Sequence, residues 1–288
     1  MGIVNVTPDS FSDGGRFLQP EAAVAHALAL AAEGADILDI GGESTRPGAE
    51  PVAAQEELRR VLPVIEGIAA ASAALPARPQ ISIDTSKAAV AAAALAAGAS
   101  LVNDVSAFRA DPEMAAVVAG ADADCCLMHM LGEPRTMQDD PRYGDVVDDV
   151  REFLQERLDF ALDAGVARER IMLDPGIGFG KTEQHNLELL RRLDELVALG
   201  QPIVIGTSRK GFLGRIVERE AARAEPAAAA ERLAGTIATN VLALERGARV
   251  FRVHDVAPLR EALAVATATL AGRWTESRGA RTRTTQTS

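Results

Sequence analysis

The stretch QISIDTSKAAVAAAALAAGASLVNDVS, residues 80–106, contains the repeating unit of the predicted fold. Two short runs rich in β-branched and apolar residues, 80–85 and 100–106, flank an alanine-rich segment whose larger apolar residues have helical spacing. Gly98 stands where that helix should end, which is the usual position of a C-terminal glycine. A strand, a helix and a strand in this order are typical of a parallel βαβ unit.

The same unit repeats along the chain. Eight short runs have strand composition: GIVNVT (2–7), ILDIGG (37–42), QISIDT (80–85), SLVNDVS (100–106), DCCLMHM (124–130), IMLDPG (171–176), PIVIGTS (202–208) and RVFRVHDV (249–256). Helical segments such as 20–35, 148–166 and 227–248 lie between them, and Gly34, Gly165 and Gly247 end helices as Gly98 does. Almost continuously apolar strands indicate a sheet covered on both faces.

Eight βα units in one chain predict an α/β protein with a single-domain (β/α)8 (TIM) barrel. A doubly wound open sheet is the alternative, and the even repetition without a leftover domain favours the barrel. The barrel is expected over 1–271. The remaining segment, 272–288, is polar, rich in Arg and Thr and aperiodic, so we expect a disordered tail.

Composition excludes several classes of function. The chain has 288 residues, 48% of them hydrophobic, and a formal net charge of -11, so binding to nucleic acid or to an anionic membrane is not expected. Cys125 and Cys126 are adjacent in an apolar run, which predicts buried thiols in a reducing compartment. No segment is apolar and long enough to span a membrane, and the N-terminus lacks the pattern of a signal peptide, so we expect a cytoplasmic location.

The stretch IMLDPGIGFGKT, 171–182, looks like a nucleotide-binding loop, but its spacing excludes that function. A phosphate-binding P-loop needs a glycine five positions before its Gly-Lys pair, and Pro175 occupies that position. Proline has no N–H to donate to a phosphate. The question is then why a strand should end in Asp174, Pro175 and Gly176.

Polar side chains occur at the end of almost every predicted strand. The carboxyl ends of barrel strands meet at one rim, where the active sites of this fold lie. One aspartate at such a position often only caps the next helix, whereas a whole ring of polar groups indicates a site. The ring consists of Asn5, Thr7, Asp39, Glu43, Asp84, Asn103, Asp104, His129, Asp174, Ser208, Arg209, Lys210, Arg252, His254 and Asp255.

The ring divides into two chemistries. Carboxylates, an amide and an ammonium group suit a flat heterocycle with an amino-amidine edge and a carbonyl; this set is Asp84, Asn103, Asp174 and Lys210. Guanidinium forks and a histidine suit phosphate oxygens; this set is Arg46, Arg209, Arg252 and His254. Surface ion pairing is the alternative for Arg252 and His254.

Two segments, 7–16 and 43–52, are rich in Gly, Pro, Ser and Asp and are longer than a minimal βα turn. Such loops at a barrel mouth often act as lids, and this is our prediction for both. Long loops without a role are the alternative.

Eight motifs together resemble the dihydropteroate synthases, the folate-pathway enzymes that sulfonamides block: MGIVNVTPDSFSDGG, DIGGESTRPGA, SIDTSK, NDVS, LMHM, LDPGIGFGKT, GTSRKGFLG and RVHDV. One motif such as NDVS would be weak support. All eight occur in order with barrel spacing, and the resemblance runs from Gly2 to about Ala271.

The resemblance implies an enzyme that condenses 6-hydroxymethyl-7,8-dihydropterin pyrophosphate with p-aminobenzoate to give 7,8-dihydropteroate and pyrophosphate. It implies a pterin pocket made by Asp84, Asn103, Met128, Asp174, Lys210 and Arg252, the last stacked on the ring. It implies a p-aminobenzoate pocket made by Thr45, Arg46, Pro47, Phe179 and Ser208, with the stem of Lys210. It implies a pyrophosphate site made by Asn5, Arg46, Arg252 and His254, with Mg²⁺ bound to Asn5. The catalytic residues would be Arg252, His254, Lys210 and Asp84.

The resemblance also answers the question of 171–182. Asp174 would accept hydrogen bonds from the pterin, the Pro175-Gly176 pair would turn the chain, and Lys181 and Thr182 would only begin the next helix. His129 and Asp104 receive no role from it. A homodimer is expected through the late barrel helices, where 234–248 offers a surface of small residues.

The predicted mechanism begins with loss of pyrophosphate, which gives a cation-like pterin that the arylamine attacks. Three other functions are alternatives. A pterin-dependent methyltransferase barrel would lack the 43–52 loop and the basic set, and a non-catalytic pterin-binding paralogue would be expected to have lost part of them. A phosphosugar lyase would need a Schiff-base lysine or a histidine metal cluster, and the histidines here are scattered.

Overall fold

The computed structural model of the chain describes residues 1–7, 20–45, 48–72, 77–133, 135–220 and 228–272. Strands and helices alternate throughout this part. The strands are β1 Gly2–Asn5, β2 Ile37–Gly41, β3 Gln80–Asp84, β4 Leu101–Asp104, β5 Asp124–Met128, β6 Ile171–Asp174, β7 Val204–Ile205 and β8 Val250–Phe251. Each strand lies inside one of the eight predicted runs, which confirms them.

Helices follow every strand. They are α1 Pro20–Ala32, α2 Ala54–Ser72, α3 Ala88–Ala96, α4 Met114–Gly120, α5 Val146–Asp163, α6 Glu183–Arg191, α7 Leu193–Val197, α8 Gly211–Glu220, α9 Leu233–Glu245 and α10 Val256–Ala271. The predicted helix-ending glycines are confirmed by their positive φ values, for example 116° at Gly98. Glycine adopts that left-handed conformation without the steric cost of a Cβ.

The strands form a closed parallel ring. Strands β1 to β6 pair in sequence order, and β7 pairs with β8. A parallel bridge joins Leu173 of β6 to Ile203, and another joins Gly2 of β1 to Val253. The amide of Ile3 donates to the carbonyl of Val253 over 3.0 Å, which ties the last strand segment to the first. The predicted (β/α)8 barrel is therefore confirmed, and the open-sheet alternative is wrong.

The core lies between the strands and the surrounding helices. Ile40, Ile83 and Leu127 on the strands are fully buried, as are Ile65 and Ile68 on α2. Cys125 and Cys126 are buried free thiols, as predicted. Burial of such side chains stabilises the barrel by roughly 1.5–3 kcal/mol for each large apolar residue.

Some predictions fall on residues outside the described ranges. These are the 8–16 part of the first loop, Arg46 and Pro47 of the second, and the tail beyond Gly272. Among the helices that are described, none combines the length and apolar character needed to cross a membrane. The cytoplasmic location stays a prediction.

Candidate active site

The strand register brings the predicted pterin residues onto one face of the barrel. Asn5 aligns with Gly41, Gly41 with Asp84, and Asp84 with Asn103. Farther round the barrel, Asn103 aligns with Cys126, and Met128 with Asp174. Side chains alternate along a strand with period two, so residues in register or two apart share a face. That face carries Asn5, Asp39, Asp84, Asn103, Met128 and Asp174.

Asp39, on this face, accepts hydrogen bonds from three neighbouring side chains. Asp39 is completely buried, and its Oδ2 accepts from Arg252 Nε over 2.6 Å and from Asn103 Nδ2 over 3.0 Å. Its Oδ1 accepts from the hydroxyl of Ser82 over 2.6 Å. Because a carboxylate only accepts, the amide nitrogen of Asn103 must face Asp39. The amide oxygen of Asn103 is therefore not the atom that contacts Asp39.

Arg252 links two carboxylates. Its Nη2 donates to Asp84 Oδ2 over 2.7 Å, while its Nε binds Asp39. Burial alone would lower the pKa of Arg252, but Asp39 and Asp84 raise it above its ordinary value. Burial raises the pKa of Asp84 to about 7, an effect that Arg252 opposes and the charge of Asp39 adds to. Asp84 is thus a carboxyl group that titrates near neutral pH.

The sharp turn after β6 shapes the position of Asp174. Its Oδ1 accepts from the amide of Gly176 over 2.7 Å. Gly176 has φ of 67°, and a Cβ there would lie 1.8 Å from the carbonyl oxygen of His129, so only glycine fits. Burial raises the pKa of Asp174, and the charge of Lys210 opposes that rise. This turn engages Oδ1 of Asp174 and not Oδ2.

The loop that follows is held by side chains at every carbonyl from 177 to 180. The donors to these four oxygens are, in chain order, Lys210, Gln138, Lys181 and Tyr143. Lys210 Nζ also lies 4.6 Å from the ring centroid of Phe179. Burial lowers the pKa of Lys210 to about 8, although Asp174 acts in the opposite direction. Phe179 and Lys210 therefore meet at the junction of the two predicted substrate pockets.

The predicted basic residues differ in the partners that they contact. Ser208 Oγ lies 2.9 Å from His254 Nδ1, so these two predicted residues are together. Arg209 is not with them, because its guanidinium binds both carboxylate oxygens of Asp255, at 2.9 and 2.5 Å. Arg209 is thus paired with a carboxylate, as Arg252 is, and its place in an anion-binding set stays a prediction.

Two polar residues of the predicted ring have structural roles. Asp104 is fully buried and accepts from the backbone amides of Ser106 and Phe108. His129 is buried, which lowers its pKa to about 2. A neutral imidazole with so low a pKa is a weak general base at neutral pH. That neither residue takes part in catalysis stays a prediction.

The remaining predicted site residues are placed as follows. Met128 is 4% exposed and lies in an apolar cluster with Met130 and Met137, against which Phe179 packs. Thr45 is half-buried at the start of the 43–52 segment. Asn5 is half-buried at the end of β1. Arg46 and Pro47 lie outside the described residues.

The described residues include no cluster of three His, Cys, Asp or Glu side chains that could hold a metal. Mg²⁺ commonly takes one or two protein ligands and completes its shell with water and substrate phosphates. Asn5 could supply one amide oxygen at the rim. Binding of Mg²⁺ at Asn5 stays a prediction.

Sequence reasoning missed Lys181. This side chain is 3% exposed, and its Nζ lies 2.8 Å from His129 Nδ1. The prediction that Lys181 only begins a helix is wrong, whereas Thr182 does cap α6 by accepting from His185 N. Lys181 instead holds the loop that carries Phe179.

A compositional signal could have found it. The chain has 30 basic residues, and only three are lysines: Lys87, Lys181 and Lys210. Each follows a strand end of the barrel rim. A lysine in a chain whose other basic residues are mostly arginines indicates a position where a compact ammonium group donates in several directions.

Comparison with known proteins assigns the family. Residues 1–254 match the family described as pterin binding enzyme. The chain is 46% identical to a dihydropteroate synthase of Synechocystis sp., over 93% of this chain and 89% of the relative. A solved Xanthomonas albilineans dihydropteroate synthase with 4-aminobenzoic acid is 49% identical, with a TM-score of 0.84 over 94% of this chain and 92% of that one.

A second Xanthomonas albilineans structure, in complex with 7,8-dihydropteroate, is 46% identical with a TM-score of 0.81, over 94% of this chain and 92% of that one. Both the family pattern and the relatives cover the strands whose ends build the site. The barrel and the acceptors on one of its faces agree with these similarities. The chain therefore belongs to the pterin-binding enzymes and, among them, to the dihydropteroate synthase family.

Proposed function

We propose that the chain condenses 6-hydroxymethyl-7,8-dihydropterin pyrophosphate with p-aminobenzoate, forming 7,8-dihydropteroate and pyrophosphate. The observation that carries this proposal is the single barrel face on which Asp84, Asn103 and Asp174 present acceptors beside Lys210. A reduced pterin offers N–H donors along its amino-amidine edge and a carbonyl for an ammonium group. Product and arylamine complexes of relatives support the same substrates.

The pterin residues also act on charge. Asp84 and Asp174 hold negative charge next to the ring, where it stabilises a cation-like pterin as the carbon–oxygen bond breaks. Lys210 donates to the ring carbonyl or a ring nitrogen. Arg252 is held between Asp39 and Asp84 and would stack on the ring.

The bond electrons leave with the pyrophosphate. Arg252 and His254 stabilise the developing negative charge, with Arg46 as a further candidate outside the described residues. When bound at Asn5 and the phosphates, Mg²⁺ would neutralise part of the charge on the leaving group. The arylamine nitrogen then forms the new bond to the exocyclic carbon and loses a proton to water. Phe179, Thr45 and Ser208 orient the arylamine, which needs positioning more than a strong base.

Pyrophosphate release from the pterin substrate, measured with and without p-aminobenzoate and with Mg²⁺, tests the proposal. Release coupled to dihydropteroate formation is the expected result. Pterin binding without product dependent on p-aminobenzoate would favour a binding paralogue. Methyl transfer from a methylated folate would favour the methyltransferase alternative. No pterin binding at all would overturn the site.

Pterin affinity should depend on pH in a bell-shaped way. Asp84 must be ionised to accept two N–H bonds, and its pKa in the free site is about 7. Affinity should fall about ten-fold per pH unit well below that value. Lys210, with a pKa of about 8, should lose its proton and weaken binding above that pH. Calorimetric titration with a pterin from pH 5.5 to 9.5 measures this. An affinity that stays flat across both limbs would contradict the two roles.

We also propose a homodimer formed through α9 and α10. A groove of about 790 Å³ lies between them, lined by apolar residues such as Ile237, Val241 and Ala262. Val265 is 69% exposed and Leu270 is 56% exposed on the same surface. Exposed apolar surface of this kind is typical of a protein interface. A second copy suits it, since a two-fold contact would pair the same helices from each subunit.

Val265→Asp should convert the dimer into a monomer, because it places a charge within the apolar contact. Sedimentation velocity at micromolar concentration measures the change. Leu187→Asp on α6 is the matched control, since Leu187 is 40% exposed and does not line the groove between α9 and α10. A wild-type chain that is already monomeric, or a variant that stays dimeric, would contradict the assignment of this face.

A further inference from the structure

We propose that Lys87 is a positioning residue for p-aminobenzoate binding, because it ties the 43–52 segment to the strand end that carries Asp84. The inference rests on the proposed function, which places Thr45 of this segment in the arylamine pocket. It adds to that function a residue that lies outside the pocket and acts through Glu43.

Glu43 closes the base of the segment. It follows the end of β2, and its Oε1 accepts from the backbone amide of Val52 over 3.1 Å. One carboxylate oxygen therefore joins residues nine positions apart. The neighbouring carbonyl of Gly42 accepts from Arg60 Nη1 over 2.8 Å, which anchors the same base to α2. The position of Thr45 thus depends on where the Glu43 side chain is held.

Lys87 holds that side chain. It is the N-terminal cap residue of α3, three positions after Asp84. Its Nζ donates to the second oxygen of Glu43 and, over 2.5 Å, to Glu57 Oε2. Burial disfavours the ammonium charge, but the two glutamates overcome this and raise the pKa of Lys87. The lysine therefore stays charged and connects three parts of the rim: the base of 43–52, helix α2 and the end of β3.

Neutralising Glu57 does not explain the whole arrangement. Glu57 is fully buried, and Lys87 is a necessary counter-charge for it. The bond to Glu43 is additional, since Glu43 is 23% exposed and could be solvated by water instead. An ammonium group can donate in separate directions at once, which suits two carboxylates on different elements. This arrangement suits a lysine at position 87 better than an arginine.

The double variant Lys87→Met/Glu57→Met separates the two roles. It leaves the net charge unchanged and replaces the buried ion pair with an apolar pair, an exchange that folds often tolerate. If Lys87 only neutralises Glu57, the double variant should behave like the wild type. If Lys87 positions the segment, the KM for p-aminobenzoate should rise about ten-fold or more, with the KM for the pterin substrate nearly unchanged.

Two further variants sharpen the test. Glu43→Leu removes the carboxylate that Lys87 holds, while Lys87 and Glu57 stay paired. The KM for p-aminobenzoate should rise as in the first variant, with the KM for the pterin substrate nearly unchanged. Arg151→Met/Asp148→Met removes an exposed ion pair on α5 and is the matched control. A KM for p-aminobenzoate that stays at the wild-type value in the Lys87→Met/Glu57→Met variant would overturn the proposal.

Hydrogen exchange at the amide of Val52 gives a readout that does not need activity. Faster exchange is expected in Lys87→Met/Glu57→Met, because Glu43 would no longer be held as the acceptor of the Val52 amide. It is also expected in Glu43→Leu, because that variant lacks the acceptor. Unchanged exchange at the Val52 amide in Lys87→Met/Glu57→Met would overturn the proposal that Lys87 holds Glu43. A wild-type chain that makes no dihydropteroate would overturn the proposed function instead, and Val52 exchange would still decide whether Lys87 holds the segment.

Discussion

Asp174→Asn should weaken binding of the pterin substrate by about a hundredfold, because a buried charged acceptor is replaced by a neutral group. The turn at Gly176 explains why the change is so harmful. The amide of Gly176 donates to Oδ1 of residue 174, so an asparagine would keep its oxygen there. Its NH₂ would then face the N–H donors of the pterin. The charge of Lys210 would also lose a nearby carboxylate.

Calorimetry with the pterin substrate measures the loss, and thermal unfolding shows whether the fold is kept. Asp124→Asn is the matched control, because Asp124 begins β5 at the opposite end of the barrel and pairs with Arg170. That variant should bind pterin normally. Near-normal pterin affinity in Asp174→Asn would remove Asp174 from the site.

Arg252→Met should cost about 3–5 kcal/mol of folding free energy and abolish most product formation at neutral pH. Arg252 is bonded to both Asp39 and Asp84, and Asp39 is completely buried. Without the guanidinium, these carboxylates face each other uncompensated. The pKa of Asp84, already about 7, should rise further, because Arg252 is the charge that lowers it. The acid limb of pterin binding should therefore move to higher pH.

Chemical denaturation measures the stability, and pterin affinity against pH measures the shift of Asp84. Arg252→Lys is the matched control, since it keeps the charge but loses the planar fork that reaches two carboxylates. It should recover part of the stability and only part of the rate. An acid limb that stays in place in Arg252→Met would show that Arg252 does not set the protonation of Asp84.

Much of the fold follows from local patterns. The period-two and helical spacings around Gly98 predict a βαβ unit, and repetition of that unit eight times leads to the barrel. Since parallel strands end at a common rim, the residues at their ends predict a site without any knowledge of distances. Asp84, Asn103 and Asp174 are predicted in this way, and the register places them on one face.

What the sequence does not reveal are the partners of charged side chains, which lie far away in the chain. Arg209 was assigned to an anion site, but Asp255 pairs with it across 46 positions. Lys181 looked like a helix start, but it is buried against His129, 52 positions earlier. Asp39 appeared in the ring without a role, although Arg252, 213 positions away, and Asn103 both donate to it. Local composition contains no information about such pairs.

The amino-acid sequence was thus sufficient for the barrel, for the rim on which the site lies and for the chemical types gathered there, because periodicity and parallel strand order are local properties. The folded structure was needed to show which carboxylates hold Arg252, which atom of Asn103 faces Asp39, and why the pKa of Asp84 is raised. These properties depend on burial and on distances of a few ångströms between strands, and both arise only when the ring of strands has closed.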